Sequence, residues 1–551
     1  MKKTARFLSA ALGLCLLAGC GRSSEAPLSP APSEVVVISP PAFSPEPEPT
    51  AAPEALSSFF FRRPDGKSGV LRSDGTFSVP CQYDSLWGAG VPDRYCAGKY
   101  PAAGTLDKDA EPLYALLDQN GQPLTKFLYS SLDPLGNGAP LLVAIRAEDS
   151  ARLLLDAQTG AELLECPKTG WMLSLSGETP AVLFYDYEAQ NLAFYRLDDL
   201  FAGTTAPCRT LSDVSDLSVF SFWEGVFAMT YADRAGGGTV LCDFDGPLFG
   251  EKRFAAYGYP SGEENVSLLA LQERGENGED GLWGYWNRKG ECVIAPAFSS
   301  VGSFFGDVAA AADEAGLWGT IDTAGQWLVS PRYDSIGSIT LGYALGIREV
   351  VQEDGSTSNV QELFDPDGNV LLSGTLSLEA IGKEYLFVIS YEEDKSCAYT
   401  LDRKSGTLTA LPGLSESDKY MWCSYSSGSR CVIEFWNDDI GSNCGIYDLS
   451  TSRWVVAPGK YHGIALPYSA LTTSGTTVEN SKVLCAAFRF HNNILYNLID
   501  WDGAVLGENF ARIEALEGSF LLAQKGFSYG LMDLEGNWIY RESIFSAFDD
   551  E

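Results

Sequence analysis

Histidine is nearly absent from this 551-residue chain, which has only 2. That removes most of the raw material for imidazole acid–base chemistry and for His-ligated metal centres. Of the two, His462 and His491, the second sits in Phe488-Arg-Phe-His-Asn-Asn and reads as a strand end. No Cys-x-x-Cys occurs, and no Cys and His stand at zinc spacing. Basic residues are also scarce, with 38 Lys and Arg against 73 Asp and Glu and a net charge of -35. Without a basic run or a basic segment, nucleic acid is excluded as a partner. The same charge repels anionic lipid and anionic wall polymer, attracts cations and cationic peptides, and favours solubility. The apolar run from Phe7 to Ala18 is too short to span a bilayer.

That run follows Lys2, Lys3 and Arg6 and ends in Leu17-Ala18-Gly19-Cys20, small residues before a cysteine, as a cleaved export signal does. It resembles a bacterial lipoprotein signal peptide. The resemblance implies that residues 1–19 are removed, that Cys20 is acylated as the mature N-terminus, and that the protein is held by lipid on the extracytoplasmic face of a membrane. Residues 20–57 are rich in Pro, Ser, Ala and Glu, including Pro45-Glu-Pro-Glu-Pro49. Such a segment cannot bury enough apolar surface to fold and reads as a disordered tether. It reaches on the order of 100 Å if polyproline-like and about 30 Å if flexible.

Besides Cys15 and Cys20, cysteines stand at 81, 96, 166, 208, 242, 292, 397, 423, 431, 444 and 485. An odd, scattered set reads as small buried strand residues, as at Cys242 and Cys292. Cys423 and Cys431 flank Tyr425-Ser-Ser-Gly-Ser429 symmetrically, so a hairpin would set them opposite each other, as a disulfide or, in a reducing habitat, as two free thiols.

Self-similarity organises the rest. One phrase recurs as Tyr114-Ala-Leu-Leu-Asp118-Gln-Asn-Gly121, Trp283-Gly-Tyr-Trp-Asn287-Arg-Lys-Gly290, Trp318-Gly-Thr-Ile-Asp322-Thr-Ala-Gly325, Leu363-Phe-Asp365-Pro-Asp-Gly368, Tyr496-Asn-Leu-Ile-Asp500-Trp-Asp-Gly503 and Tyr529-Gly-Leu-Met-Asp533-Leu-Glu-Gly536. Looser copies end at Gly75, Gly160, Gly246 and Gly406, and degenerate ones lie near Asp198 and Asp448. The phrase reads as a β-hairpin whose Asp accepts turn N–H groups and whose Gly takes the left-handed position. A second phrase follows several copies: Pro296-Ala-Phe298-Ser-Ser-Val301, Pro331-Arg-Tyr333-Asp-Ser-Ile336 and Pro80-Cys-Gln-Tyr83-Asp-Ser-Leu86. Its proline fits a strand end or edge. Four short strands per unit, at a period near about 42 residues, give about twelve units and the signature of propeller blades.

Trp283-Gly284 and Trp318-Gly319, each followed by the turn and then by Pro-x-aromatic, resemble the WG repeat of bacterial surface and secreted proteins, over roughly residues 279–340 and more loosely at 66–90 and 525–541. Leu153-Leu-Leu-Asp156-Ala-Gln-Thr-Gly160 is similar to the hairpin of quinoprotein-type propellers. The resemblance implies an all-β repeat fold and carries over no catalytic residue. Since about twelve blades exceed one ordinary ring, the expected architecture is two tandem propeller-like domains, 58–305 and 306–551. An open β-superhelix is the alternative.

Gly526-Phe-Ser-Tyr-Gly530 matches the hydrolase Gly-x-Ser-x-Gly string, but it leads into a repeat hairpin and both histidines precede it. The pairs Asp243 and Asp245, Asp365 and Asp367, and Asp500 and Asp502 lack the further ligands of a calcium loop. No catalytic residue, cofactor or metal is therefore assigned. Trp171, Trp223, Trp422, Trp436 and Trp454 lie outside the Trp-Gly position, and one or two of them could line a groove and stack on sugar. The expectation is a non-catalytic scaffold for a protein or peptide partner; a glycan binder and a carboxylate glycosidase are the alternatives.

Overall fold

A computed structural model describes residues 56–544, apart from 101–110, 259–267, 468–481 and brief stretches in other connections. The signal segment, Cys20, nearly all of the Pro-rich tether and His491 lie outside the described residues.

The chain is all-β. Its strands form ten antiparallel sheets, each built from strands consecutive in sequence. Most sheets have four strands, and two seven-stranded sheets each hold a pair of units, so the array has twelve units. Unit 7 shows the pattern, with strands at Ser300–Val301, Val308–Ala312, Trp318–Asp322 and Trp327–Tyr333. The second and third strands are the most buried, and the fourth is an exposed edge.

The repeated turn has the expected chemistry. Asp322 Oδ1 accepts the backbone N–H groups of Ala324 at 2.9 Å and Gln326 at 2.8 Å, and Gly325 takes φ 77°. Asp118, Asn287, Asp365 and Asp500 make the same pair of bonds. The degenerate copy near Asp448 places Ser452 at φ 52° where a glycine would serve. Near Asp198 the expected hairpin is not formed: Leu197–Phe201 is a short helix that joins the third and fourth strands of unit 4.

Trp-Gly and the following proline prove to be one device. Trp318 pairs with Tyr333 while Thr320 pairs with Val329, so the fourth strand bulges around Pro331. The bulge brings that strand's backbone over Gly319, where a Cβ would lie 2.2 Å from the Val329 carbonyl oxygen. Bulged pairing recurs opposite Gly69, Gly284 and Gly445. Past the bulge the chain leaves its sheet: Asp334 N donates to Ile347 O at 2.8 Å, and Ser335–Ile336 becomes the first strand of unit 8. The sequence repeat is thus out of phase with the sheet, and each copy ties two sheets together covalently. In Val370–Ile381 one strand serves both units, pivoting at Gly374.

Sheets pack face to face through apolar clusters that join each unit to the next. Across residue 305, Ile294 and Phe298 of unit 6 pack with Ala309, Ala311 and Ile321 of unit 7. Phe59, Phe61 and Leu71 of unit 1 pack with Ala515, Leu522 and Leu531 of unit 12. Two expectations are corrected by this packing. No seam divides the array near residue 305, because units 6 and 7 bury each other's faces. The array is also not an open superhelix, because its last sheet covers its first. Leu56–Glu551 form one compact unit.

Candidate functional site

Unit 1 is built from Ser58–Arg62, Ser68–Arg72 and Phe77–Tyr83. Its first two strands match the second and third strands of the other units, because Ser68-Gly69 carries the bulge that Trp318-Gly319 carries in unit 7. Among the described residues this sheet has three strands, with Ser58–Arg62 paired to Ser68–Arg72. At the other end of the chain, Arg541 and Glu542 of unit 12 stay in regular register with Gly530 and Tyr529, and Ser543 with Ser528. Ile544 N then donates to Phe527 O at 3.0 Å.

A cavity of about 240 Å³ lies at this place. It is lined by Phe60, Phe61 and Arg62 of unit 1, Asp84, Leu86 and Trp87 at the start of unit 2, and Tyr529 of unit 12, with Ser68 and Ser85 beside them. Phe60 faces the unit 2 cluster and Phe61 the unit 12 cluster. A cavity touched by both lies off the edge or end of their strand. In other units the third strand packs on the first strand of the unit that follows, as Trp318–Asp322 does on Ser335–Ile336. Tyr529 lies near the start of the third strand of unit 12, Ser528–Asp533.

The walls are held in place. Tyr529 stacks on Phe61 at 5.1 Å between centroids and donates its phenol to Glu514 Oε2 at 2.6 Å. Burial, then that carboxylate, raises the phenol's pKa. Trp87 meets Tyr114 edge-on at 5.4 Å. Asp84 takes Lys67 Nζ at 2.6 Å and Tyr100 N at 2.9 Å. Partial burial pushes the Asp84 carboxyl up, but these two donors and Lys99 outweigh it and hold it below the ordinary carboxylate value. The lining therefore combines aromatic surface with an ionised carboxylate and an exposed arginine.

The same end of the sheets, where second strands turn into third strands, collects exposed apolar side chains. Tyr187, Val351, Trp436, Phe490 and Phe527 all lie at or beside these turns, with Phe527 68 % exposed. Sequence reasoning did not find this gathering, since its signal is one large residue per turn, visible only once the turns are in register.

Other sequence-predicted residues are dispersed. Cys423 lies opposite Ile433 and Cys431 opposite Ser426, with a bulge after Cys423, so the pair is not a directly opposed cross-strand pair. Both are free thiols buried in one cluster. Contact with Cys431, followed by burial, raises the Cys423 pKa. Cys242 is buried as expected, whereas Cys292 is exposed because it opens a fourth, edge strand. Ser528 is the first residue of a strand paired with Lys525 and Ser543, a hairpin rather than a strand-to-helix turn. His462 is exposed beside its strand. Asp365 and Asp500 accept turn N–H groups, and no metal-holding cluster occurs among the described residues. Trp171 and Trp454 pack against clusters, while Trp422 and Trp436 are exposed.

Residues 283–312 and 318–345 match the WG containing repeat, and residues 463–551 match a domain of unknown function, DUF5046. The WG matches begin at the third strand of one unit and end in the second strand of the next or beside it, which is the phase offset seen in the sheets. No curated protein matches the chain. Among solved structures, the tricorn protease is similar at 9% identity and a TM-score of 0.20, with 89% of this chain and 63% of that chain covered. The WD40 domain of Toxoplasma gondii coronin is similar at 14% identity and a TM-score of 0.21, with 50% of this chain and 77% of that chain covered. This chain therefore spans less than two thirds of the tricorn protease chain.

Proposed function

We propose that this protein is a non-catalytic binding scaffold of the bacterial cell envelope, anchored by lipid on Cys20 and held out on the Pro-rich tether, with a protein or peptide partner. One observation carries the binding role: exposed apolar side chains of units 4, 8, 10, 11 and 12 lie at the turns from second to third strand, the end of the sheets where the 240 Å³ cavity also lies. Single exposed apolar residues need no explanation, but a set on one face of a repeat array marks an interaction surface. The anchor rests on Leu17-Ala-Gly-Cys20 behind a basic flank.

A photocrosslinker at position 436, 490 or 527 is expected to trap one partner in living cells, and the same group at Val293 or Val505, on the exposed edge strands, is not. Equal trapping at both sets, or none at either, sinks the scaffold. Metabolic labelling with an alkyne fatty acid tests the anchor separately, and label retained by Cys20→Ser counts against it.

A glycan ligand is the second reading. Trp422 pairs with Glu434, which places Trp436 diagonally on the same face with the carboxylate beside it. Aromatic surface next to a hydrogen-bond acceptor suits a neutral sugar. Binding on a glycan panel that survives Trp422→Ala with Trp436→Ala removes it.

A further inference from the structure

We propose that Cys423 and Cys431 close into a disulfide as unit 10 folds, and that the finished fold then seals the bond from exchange. The oxidant is an external disulfide, carried by a small thiol or an oxidoreductase, and its meeting the chain rests on the envelope reading above. One cysteine, as thiolate, attacks that disulfide and releases the first thiol. The second cysteine, as thiolate, attacks the mixed disulfide and releases the other, so the protein loses two hydrogens and the oxidant gains them.

The two cysteines lie on neighbouring strands, Tyr420–Ser427 and Arg430–Asn437, with Cys423 opposite Ile433, Tyr425 opposite Val432 and Ser426 opposite Cys431. Ser424 is the extra residue of the bulge. It turns Tyr425 towards the cluster between units 10 and 11 and leaves Cys423, Cys431 and Ile433 together in the cluster between units 9 and 10. The cysteines are thus diagonal neighbours on one face, with their thiols in contact. No other two of the eleven described cysteines share a cluster. Joining them forfeits little: Cys423 Sγ donates to Tyr425 O at 3.5 Å and Cys431 Sγ to Tyr447 O at 3.6 Å, and thiols are weak donors. On the opposite face Ser424 donates to Glu434, beside Trp422. The disulfide therefore pins from below the same offset that sets the exposed Trp422 and Trp436 diagonally.

Burial decides the timing. Cys431 is fully buried and Cys423 nearly so. Contact with Cys431 and burial raise the Cys423 pKa, and only thiolate attacks a disulfide. Exchange is thereby confined to the chain before units 9 and 10 close on each other.

The full mature protein is refolded from reductant with oxidised and reduced glutathione, alkylated in denaturant and mapped by peptide mass; cell-free synthesis in the same buffer replaces refolding if that fails. The expected product joins Cys423 to Cys431 in most molecules and leaves the other nine of the eleven cysteines alkylated. Alkylation of both, or linkage of either to other cysteines as often as to each other, overturns the proposal. Protein folded in reductant should form the bond about a hundredfold more slowly than refolding protein when oxidised glutathione is added. Once made, the bond should resist dithiothreitol until denaturant is present, and equal rates in either comparison overturn the seal. Glutathione requires neither export nor lipid. A bond formed in a protein whose Cys20 takes no fatty-acid label removes the anchor and leaves the disulfide, whereas a labelled protein that folds without the bond does the reverse.

Discussion

Arg63 Nε donates to Glu542 Oε1 at 2.9 Å, joining the first sheet of the array to its last. Tyr540 donates its phenol to the same carboxylate, and Phe61 sits between Tyr529 and Tyr540 beneath them. Closure is therefore a small polar clasp over an aromatic core. The two contribute unequally, because Arg63 is 44 % exposed and pairs of that kind yield about 0–1 kcal/mol, whereas truncating a buried Phe costs about 3–5 kcal/mol. Phe61→Ala should lower the urea midpoint far more than Arg63→Ala. A larger effect from Arg63→Ala would show that the clasp holds the ring.

Closure also predicts how the molecule unfolds. A chain of residues 306–551 alone leaves bare the unit 7 face that packs on Ile294 and Phe298 and the unit 12 face that packs on Phe59 and Phe61. It should bind a hydrophobic dye and aggregate, while residues 58–551 stay monomeric. A soluble, cooperatively folded 306–551 would restore two independent halves.

The contrast between those halves and the observed circuit shows what the residues alone could reveal. The turn was legible because Asp322 and Gly325 do local work, one accepting nearby N–H groups and the other taking φ 77°, so their identities are fixed by a few neighbours in sequence. The number of units followed from counting such turns. Ring closure was legible in outline, because Phe59–Phe61 and Phe520–Leu522 stand at the same distance before their turn glycines, Gly75 and Gly536, whereas the stacking of Phe61 on Tyr529 across the whole chain carries no local mark. Register was legible only in part, since a bulge after Cys423 offsets two symmetrically spaced cysteines while leaving their thiols in contact.

Gly319 and Gly316 separate two reasons for a glycine. At Gly319 a Cβ would lie 2.2 Å from a carbonyl oxygen of the crossing strand, so Gly319→Ala must push the strands apart. At Gly316 the surroundings are open and only φ 83° opposes a side chain. Denaturant titration should show a loss of about 3 kcal/mol or more for the first, as for other overpacked sites, and about 1 kcal/mol for the second. Equal losses would mean that the bulge at Pro331 relaxes without cost.

Thiol chemistry offers a test of the cysteine placement. Cys208 and Cys292 are exposed, whereas Cys96, Cys242, Cys431 and Cys444 are buried. Burial pushes the Cys96 and Cys444 thiols up to about 12. Only the thiolate reacts, so maleimide at neutral pH should label Cys208 and Cys292 in the native, reduced protein and the buried set only in denaturant. Rapid native labelling of Cys431 would show that the interface between units 9 and 10 opens.

Asp84 ties the cavity to pH. Its carboxyl is held below the ordinary value by Lys67 and the Tyr100 N–H against the opposing effect of burial. A carboxylate with a depressed folded-state pKa binds fewer protons folded than unfolded. Its stabilisation is therefore fully present above the unfolded value of about 3.9 and is lost as pH falls through the lower folded value. Asp84→Asn should be less stable than the parent at pH 7, and the gap should close as pH falls below about 4. A gap that stays constant down to pH 2 would mean that Asp84 acts through shape alone.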